Sequence, residues 1–229
     1  MCGRYTYANP YAVRELMLRE LGVVIESEAP RYNIAPFQAV PIILSEESGR
    51  LVAQEMRWGL VPFWDKSEKP KIAPINARSE EAFSKPMFRQ AIQRRRALFP
   101  ADGFFEWQKA PDGRGPKTPY YIRLAGERPF VIAGIYEDAT TIRPATCALF
   151  TTVPNELMAP IHDRMPAILD TEAALRWLKP GPIGPKEFAA FCQAYPAGGM
   201  TARQISPLVN NVRNDRPEVI AAPGCASNP

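Results

Sequence analysis

Histidine is almost absent from this sequence of 229 residues: His162 is the only one, and the four cysteines are scattered without CxxC spacing. Structural zinc sites and small disulfide frameworks both need clustered ligands or paired cysteines, so we expect no metal and no cofactor. No run of 18 apolar residues is present, which argues against a membrane span. The first residues also lack the basic and apolar regions of a secretory signal, so we expect a cytoplasmic protein.

The composition is that of an ordinary globular chain, with 46% hydrophobic and 23% charged residues and a net charge of +4. This length and apolar content are sufficient for a single α+β domain, which we place at residues 1–220 and expect to be a monomer. Residues 221–229 are small and polar, and we predict that they form a disordered tail. The weak positive charge alone predicts a solvated basic face as readily as a polyanionic partner.

Short apolar runs between 25 prolines predict many strands and few helices. Helices are predicted at 10–21 with Asn9 as N-cap, at 84–94 capped by Ser84, and near the C-terminus at 171–178 and 186–194. Strands are predicted at 40–44, 51–61, 97–99, 103–108, 119–124, 130–136, 147–153 and 204–209. This order predicts a mostly antiparallel sheet that closes into a barrel-like core, with helices flanking it.

Cys2 would carry both an α-amine and a thiol if Met1 were removed. The amine of such a 1,2-aminothiol condenses with an aldehyde to an imine, and the thiolate then closes a thiazolidine ring. Ordinary pKa values of about 8 and about 8.5 leave both groups partly deprotonated near neutrality, and we expect Arg4 or burial to tune them. From these residues alone, a buried and inert cysteine in a first strand is the more common interpretation.

Three further segments contain chemically capable side chains. In an extended INAR segment at 75–78, Asn76 and Arg78 share a face that suits an anionic oxygen or a phosphate. Glu106 lies among aromatic residues, which would raise its carboxyl pKa and favour an acid/base role, unless it occupies the solvent side of its strand. His162 supplies the sole imidazole, with a loop cap or a surface position as the alternative.

Aromatic residues lie beside basic ones in residues 57–58 and 62–66. This combination is typical of proteins that stack the bases and hold the phosphates of single-stranded nucleic acid. We predict that Trp58 belongs to the core and that Trp64 is exposed.

Seven ordered motifs together resemble the SOS-response-associated peptidase family, the abasic-site processing proteins. They cover the chain from Cys2 to about Ile220, and they are MCGRY at 1–5, RYNIAP at 31–36, WG at 58–59, INAR at 75–78, DGFFEW at 102–107, IHDRMP at 161–166 and VNNVRN at 209–214.

The resemblance implies a sensor of abasic sites in single-stranded DNA. The family's nucleophile falls on Cys2, its active-site amide on Asn76, its acid/base on Glu106 and its histidine on His162. For contacts with DNA, the resemblance implies Arg4, Arg78 and Arg164 at the phosphates and Pro36, Phe63 and Trp64 against the bases. Asn33 is a further expected DNA-binding residue.

The predicted activity is therefore a covalent thiazolidine crosslink between Cys2 and the aldehyde of an abasic site, formed after loss of Met1. Such a crosslink would shield the lesion, and Glu106 could reverse it; the bound protein would be associated with the nucleoid. Two alternatives remain: a thiol peptidase that also removes its own Met1, and a module that binds single-stranded DNA without reacting.

Overall fold

A computed structural model describes residues 2–223 of the chain, so residues 224–229 of the predicted tail lie outside the described residues. Over this span the helices are α1 (Pro10–Leu21), α2 (Ser79–Ala82), α3 (Pro86–Arg94), α4 (Thr171–Leu178) and α5 (Pro185–Phe191). None of these helices is long and apolar enough to cross a bilayer. The strands are β1 (Tyr5–Tyr7), β2 (Arg31–Ile34), β3 (Ala39–Ser45), β4 (Leu51–Trp58), β5 (Asn76–Arg78), β6 (Arg96–Ala101), β7 (Gly103–Gln108), β8 (Thr118–Leu124), β9 (Phe130–Glu137), β10 (Thr146–Thr152), β11 (Met165–Pro166), β12 (Ile168–Leu169) and β13 (Met200–Gln204).

The strands form two sheets where the sequence predicted one. The first is antiparallel throughout, in the order β13-β8-β7-β1-β2. The second has eight strands, and pairing of β10 with both β4 and β9 completes a hydrogen-bonded ring through β3 and β6. This sheet is mixed, because β4 and β5 both run parallel to β10. The α+β class is therefore confirmed, and the prediction of a single sheet is corrected, since residue periodicity does not specify strand partners.

The first helix follows the predicted signals. Asn9 caps α1 by accepting a hydrogen bond from the backbone N–H of Ala12, and Pro10 occupies the first turn. Gly22 ends the helix in the left-handed conformation, with φ of 68°. Val13 and Met17 are buried on the face that packs into the core.

Two local predictions are wrong. Ser84 does not cap α3: Lys85 occupies the N-cap position, and the Ser84 hydroxyl donates to the carbonyl of Glu81 instead. The predicted strand at 204–209 is also displaced, because β13 ends at Gln204 and a 3-10 turn follows at Pro207–Asn210. Pro207 cannot donate to a strand ladder, and the Ser206 side chain caps the turn through the N–H of Leu208.

An aromatic cluster lies in the core below the N-terminal segment. The ring of Tyr5 makes edge-on contacts with Trp58 and Phe99, at centroid distances of 5.4 and 6.4 Å. All three side chains are fully buried, as predicted for Trp58. Because Tyr5 follows Cys2 by three residues, this packing fixes the start of the chain against both sheets.

Candidate active site

Strand pairing brings Glu106 next to the start of the chain. β1 is antiparallel to β7, with Tyr5 opposite Phe104, and the N–H of Phe105 donates to the carbonyl of Arg4 at 3.0 Å. Continued by two residues, this register places Glu106 opposite Gly3, beside Cys2. The hydrogen-bond ladder therefore sets the distance between the cysteine and the carboxyl.

Asn76 reaches the same point from the other sheet. β5 pairs with β10 in parallel, with Asn76 opposite Leu149, and the Asn76 side-chain amide donates to the backbone carbonyl of Cys2 at 2.8 Å. The indole N–H of Trp58 donates to the carbonyl of Ile75 at 2.8 Å and so fixes the residue before Asn76. Cys2 is thus held between the two sheets.

Glu106 is buried, with only 1% of its surface exposed. Burial raises the pKa of its carboxyl to about 7, because the charged form loses hydration. The position on the solvent side of the strand, which the sequence left open, is not the one in this structure. A carboxyl that titrates near neutrality can both donate and accept a proton, as an acid/base requires.

The imidazole of His162 faces Glu106, with 3.7 Å between His162 Nε2 and Glu106 Oε2. Its Nδ1 accepts a hydrogen bond from the backbone N–H of Arg164 at 3.0 Å, and burial lowers the pKa of the ring. A neutral imidazole whose Nδ1 accepts must carry its proton on Nε2, so we infer that this N–H points toward the carboxyl. The exposed carboxylate of Asp163 lies 3.0 Å from Nδ1 and would pair with the ring only if it were protonated.

The environment of the Cys2 thiol differs from the one that we expected. The side chain is fully buried, and burial, followed by the negative charge of Glu106, raises the thiol pKa. Arg4 does not counter this effect, because its guanidinium turns away to donate to the Asn33 side chain and to the carbonyl of Val209, both at 2.8 Å. The thiol is therefore protonated at rest and needs a base during any reaction.

Asn33 occupies an interior position. Its side-chain amide donates to three backbone carbonyls near the C-terminus, those of Val209, Asn211 and Asn214, while its oxygen accepts from Arg4. The structure thus favours a role for Asn33 in positioning Arg4 and the C-terminal segment over direct contact with DNA. Asp215, which the sequence analysis missed, completes this connection by accepting the N–H of Asn33 at 3.0 Å.

The two remaining candidate arginines are placed differently from each other. Arg78 is exposed and lies on the same face of β5 as Asn76. Arg164 is buried, and its guanidinium makes a bidentate pair with Glu80 at 2.8 Å for both contacts and also donates to the carbonyl of Thr151. This geometry does not present Arg164 to a phosphate. It anchors the loop that carries His162.

The aromatic candidates lie at the surface. Phe63 and Trp64 are exposed in the segment between β4 and β5, and their rings contact each other edge-on at 5.0 Å. Both line an open groove of about 1400 Å³ together with Arg89 and Arg94. The four candidate catalytic side chains do not line that groove. Pro36 is half-buried in a turn after β2.

Three cysteines of the described chain, Cys2, Cys147 and Cys192, are buried free thiols, and Cys225 lies outside the described residues. Within residues 2–223, no group of three or more His, Cys, Asp or Glu side chains is placed to hold a metal ion.

Comparison with known proteins gives consistent matches along the chain. The family model described as "SOS response associated peptidase (SRAP)" matches residues 1–212. Abasic site processing protein YoqW of Bacillus subtilis is 39% identical over 228 residues, which cover 96% of this chain and 99% of that protein. Abasic site processing protein YedK of Escherichia coli is 34% identical over 233 residues, with the same coverage of both chains.

A rat relative and a solved structure extend the likeness. Abasic site processing protein HMCES of Rattus norvegicus is 32% identical, over 84% of this chain and 65% of that protein. A crystal structure of a protein from Bacteroides thetaiotaomicron matches with a TM-score of 0.72 and 32% identity, and covers 84% of this chain and 85% of that one. The chain therefore belongs to the SOS response associated peptidase family.

Proposed function

We propose that this protein recognises abasic sites in single-stranded DNA and captures them as a covalent thiazolidine at Cys2. The observation that carries the proposal is the convergence on one buried residue: Asn76 holds the Cys2 carbonyl at 2.8 Å, and the register of β1 against β7 sets Glu106 beside it. Relatives named abasic site processing proteins match nearly the whole chain, which supports the same substrate.

The first step forms the imine. Loss of Met1 frees the α-amine of Cys2, which adds to C1′ of the ring-opened sugar and gives a carbinolamine. Protonation of its hydroxyl by Glu106 lets a water molecule leave, and the C=N bond forms. The pKa of about 7 at Glu106 supports this role, because the acid form is well populated near neutrality.

The second step closes the ring. The Cys2 sulfur adds to the carbon of the protonated imine, and the thiol proton passes to the Glu106 carboxylate left by the first step. The electron pair of the C=N bond returns to nitrogen, which keeps its single proton. The raised thiol pKa supports this order, since the buried thiol is protonated until a base is available. The N–H of His162 Nε2 stabilises Glu106 whenever its carboxyl becomes ionised.

The same groups also serve the reverse direction. Protonation of the ring sulfur by Glu106 and departure of the thiol would regenerate the protonated imine, by microscopic reversibility. A crosslink of this kind shields the lesion from strand scission and can still be released.

Binding precedes chemistry and depends on surface groups. Arg78 is exposed beside Asn76, and the guanidinium of Arg4 stacks over the Trp107 ring at 5.9 Å, so both suit phosphates near the lesion. The exposed rings of Phe63 and Trp64 suit stacking on unpaired bases. This division assigns affinity to the surface and reactivity to the buried site.

A gel assay under denaturing conditions tests the proposal. Wild-type protein should form a stable complex with abasic single-stranded DNA. Cys2→Ser keeps the amine but lacks the thiol, so it should be captured only when borohydride reduces the imine. A stable Cys2→Ser complex without reductant would refute ring closure by sulfur. A wild-type protein that binds the DNA but forms no stable complex would instead indicate a non-covalent module.

Removal of Met1 by the protein itself is a second candidate, supported by the acid/base at Glu106 beside the Cys2 thiol. Cell-free synthesis with methionine aminopeptidase inhibited tests it. Loss of Met1 from wild type, together with its retention in Glu106→Gln, is the result expected of self-processing. Retention in both would exclude it.

A further inference from the structure

Phe37 has a backbone conformation that aromatic residues rarely adopt. It is the third residue of the turn from Ala35 to Gln38, in which the N–H of Gln38 donates to the carbonyl of Ala35, and its φ is +70°. Turns with proline in the second position and a positive φ in the third normally take glycine there. Backbone strain of this kind concentrates at functional sites. It persists only where the surrounding contacts hold the residue in the strained conformation.

Three contacts hold the strained residue in place. The N–H of Phe37 donates to the carbonyl of Trp58 at 2.7 Å, and the guanidinium of Arg57 lies over the ring, 5.1 Å from its centre. Gly59 leaves the space for the ring edge, since a Cβ there would come within 2.8 Å of it. In spite of these contacts, Phe37 remains 53% exposed. The ring is held by these contacts and is presented to solvent.

The turn lies at the rim of the Cys2 site. Ile34 pairs with Tyr5 in the antiparallel pair of β1 and β2, so the turn that begins at Ala35 starts beside Arg4, two residues from Cys2. On the other side, Phe37 contacts Trp58, whose indole bonds the residue before Asn76. Phe37 is therefore linked to β1 through Ile34 and to β5 through Trp58.

We propose that Phe37 is a specificity-determining residue that stacks on the unpaired base next to the abasic nucleotide, with Arg57 behind it. A nucleobase fits these features because it is flat and stacks on any aromatic face. The Arg57 guanidinium on the covered face of the ring would lie within reach of the neighbouring phosphate. A phenylalanine ring has no polar edge that reads the base, so the contact distinguishes a present base from an absent one, and not one base from another. This inference rests on the proposed recognition of abasic single-stranded DNA.

A thermodynamic cycle isolates the contact. The lesion is replaced by tetrahydrofuran, which has no aldehyde, so wild-type protein binds reversibly and affinity is read by fluorescence anisotropy. In a second DNA, the nucleotide on one side of the lesion is also replaced by tetrahydrofuran, which removes its base. This change should weaken wild-type binding by about tenfold. Phe37→Gly and Phe37→Leu should bind the intact strand more weakly and should lose this sensitivity. Tyr11→Ala, at an exposed aromatic on α1, should behave as wild type.

The unfolding temperature of Phe37→Gly shows whether Phe37 acts by stacking on DNA or by stabilising the fold. Glycine relieves the positive φ, so the variant should unfold at a higher temperature than wild type while it binds DNA less well. If Phe37→Gly and wild type lose equal affinity on removal of either neighbouring base, the stacking proposal is wrong. If Phe37→Gly does not fold, Phe37→Leu decides the same comparison.

The covalent reaction provides the independent control. With saturating abasic DNA, wild type and Tyr11→Ala should both reach the full yield of stable complex, since both retain Cys2 and Glu106. Failure of wild type to form that complex would contradict the proposed function. A normal complex together with an unchanged binding cycle would contradict only the role of Phe37.

Discussion

Glu106→Gln should stabilise the protein at alkaline pH while it slows the reaction. The carboxyl is buried, and its pKa rises from 4.5 to about 7 on folding. The folded chain therefore retains a proton that the unfolded chain has lost between these values, so this contribution to stability is complete below about pH 4.5 and disappears as the pH rises through 7. The shift corresponds to about 3 kcal/mol.

Urea unfolding between pH 4.5 and 8.5 measures this effect, on protein with an N-terminal extension so that Met1 stays attached. Glutamine is isosteric and does not ionise, so the stability of Glu106→Gln relative to wild type should increase by about 3 kcal/mol from the acid to the alkaline end of the range. Glu55→Gln, at an exposed position on β4, is the matched control and should follow wild type throughout.

Parallel stability profiles for wild type and Glu106→Gln would refute the assignment of the raised pKa to burial of this carboxyl. The processed proteins supply the functional half of the prediction. The crosslinking rate of wild type should change with pH near neutrality, and Glu106→Gln should be slower and lose that change.

Further predictions follow from the contacts around Cys2. Arg164→Met removes a buried guanidinium from its pair with the half-exposed Glu80 and should cost about 1.5–3 kcal/mol in urea unfolding. Lys85→Met, at a pair exposed on both sides, should cost under about 1 kcal/mol. Equal losses would contradict the anchoring role. Asn76→Ala removes the donor to the Cys2 carbonyl and should slow crosslinking by at least about tenfold at saturating DNA. An unchanged rate would show that this hydrogen bond does not position Cys2 for the reaction. For DNA that contains tetrahydrofuran, the logarithm of the binding constant should fall linearly with the logarithm of the salt concentration. A binding constant that does not change with salt would exclude phosphate contacts.

Local signals in the sequence predicted much of the secondary structure, because they act over a few residues. Asn9 and Pro10 specify the start of α1, and the aromatic residues around Glu106 favour a strand at β7. The pairing of β10 with β4 and β5 could not be predicted in this way, since its partners are 89 and 73 residues apart in the sequence and leave no periodic trace. The same limit explains why one sheet was expected where two are present.

The candidate site shows a similar division. Motif resemblance selected Asn76 and Glu106, and the structure places both against Cys2. Motifs could not reveal that Arg164 faces Glu80, because the side chain of an arginine can serve a phosphate or a carboxylate equally well. Phe37 was missed for a physical reason as well: its significance lies in a positive φ, and sequence predicts glycine at such a position.

Mass spectrometry of the processed protein after incubation with abasic single-stranded DNA tests the central claim most directly. The adduct should lie on the N-terminal peptide at Cys2, with the mass of the open sugar less one water. It should be absent from Cys2→Ala and from a chain whose N-terminal extension blocks the α-amine. An adduct on any other residue, or a stable adduct on the extended chain without reductant, would contradict the aminothiol mechanism.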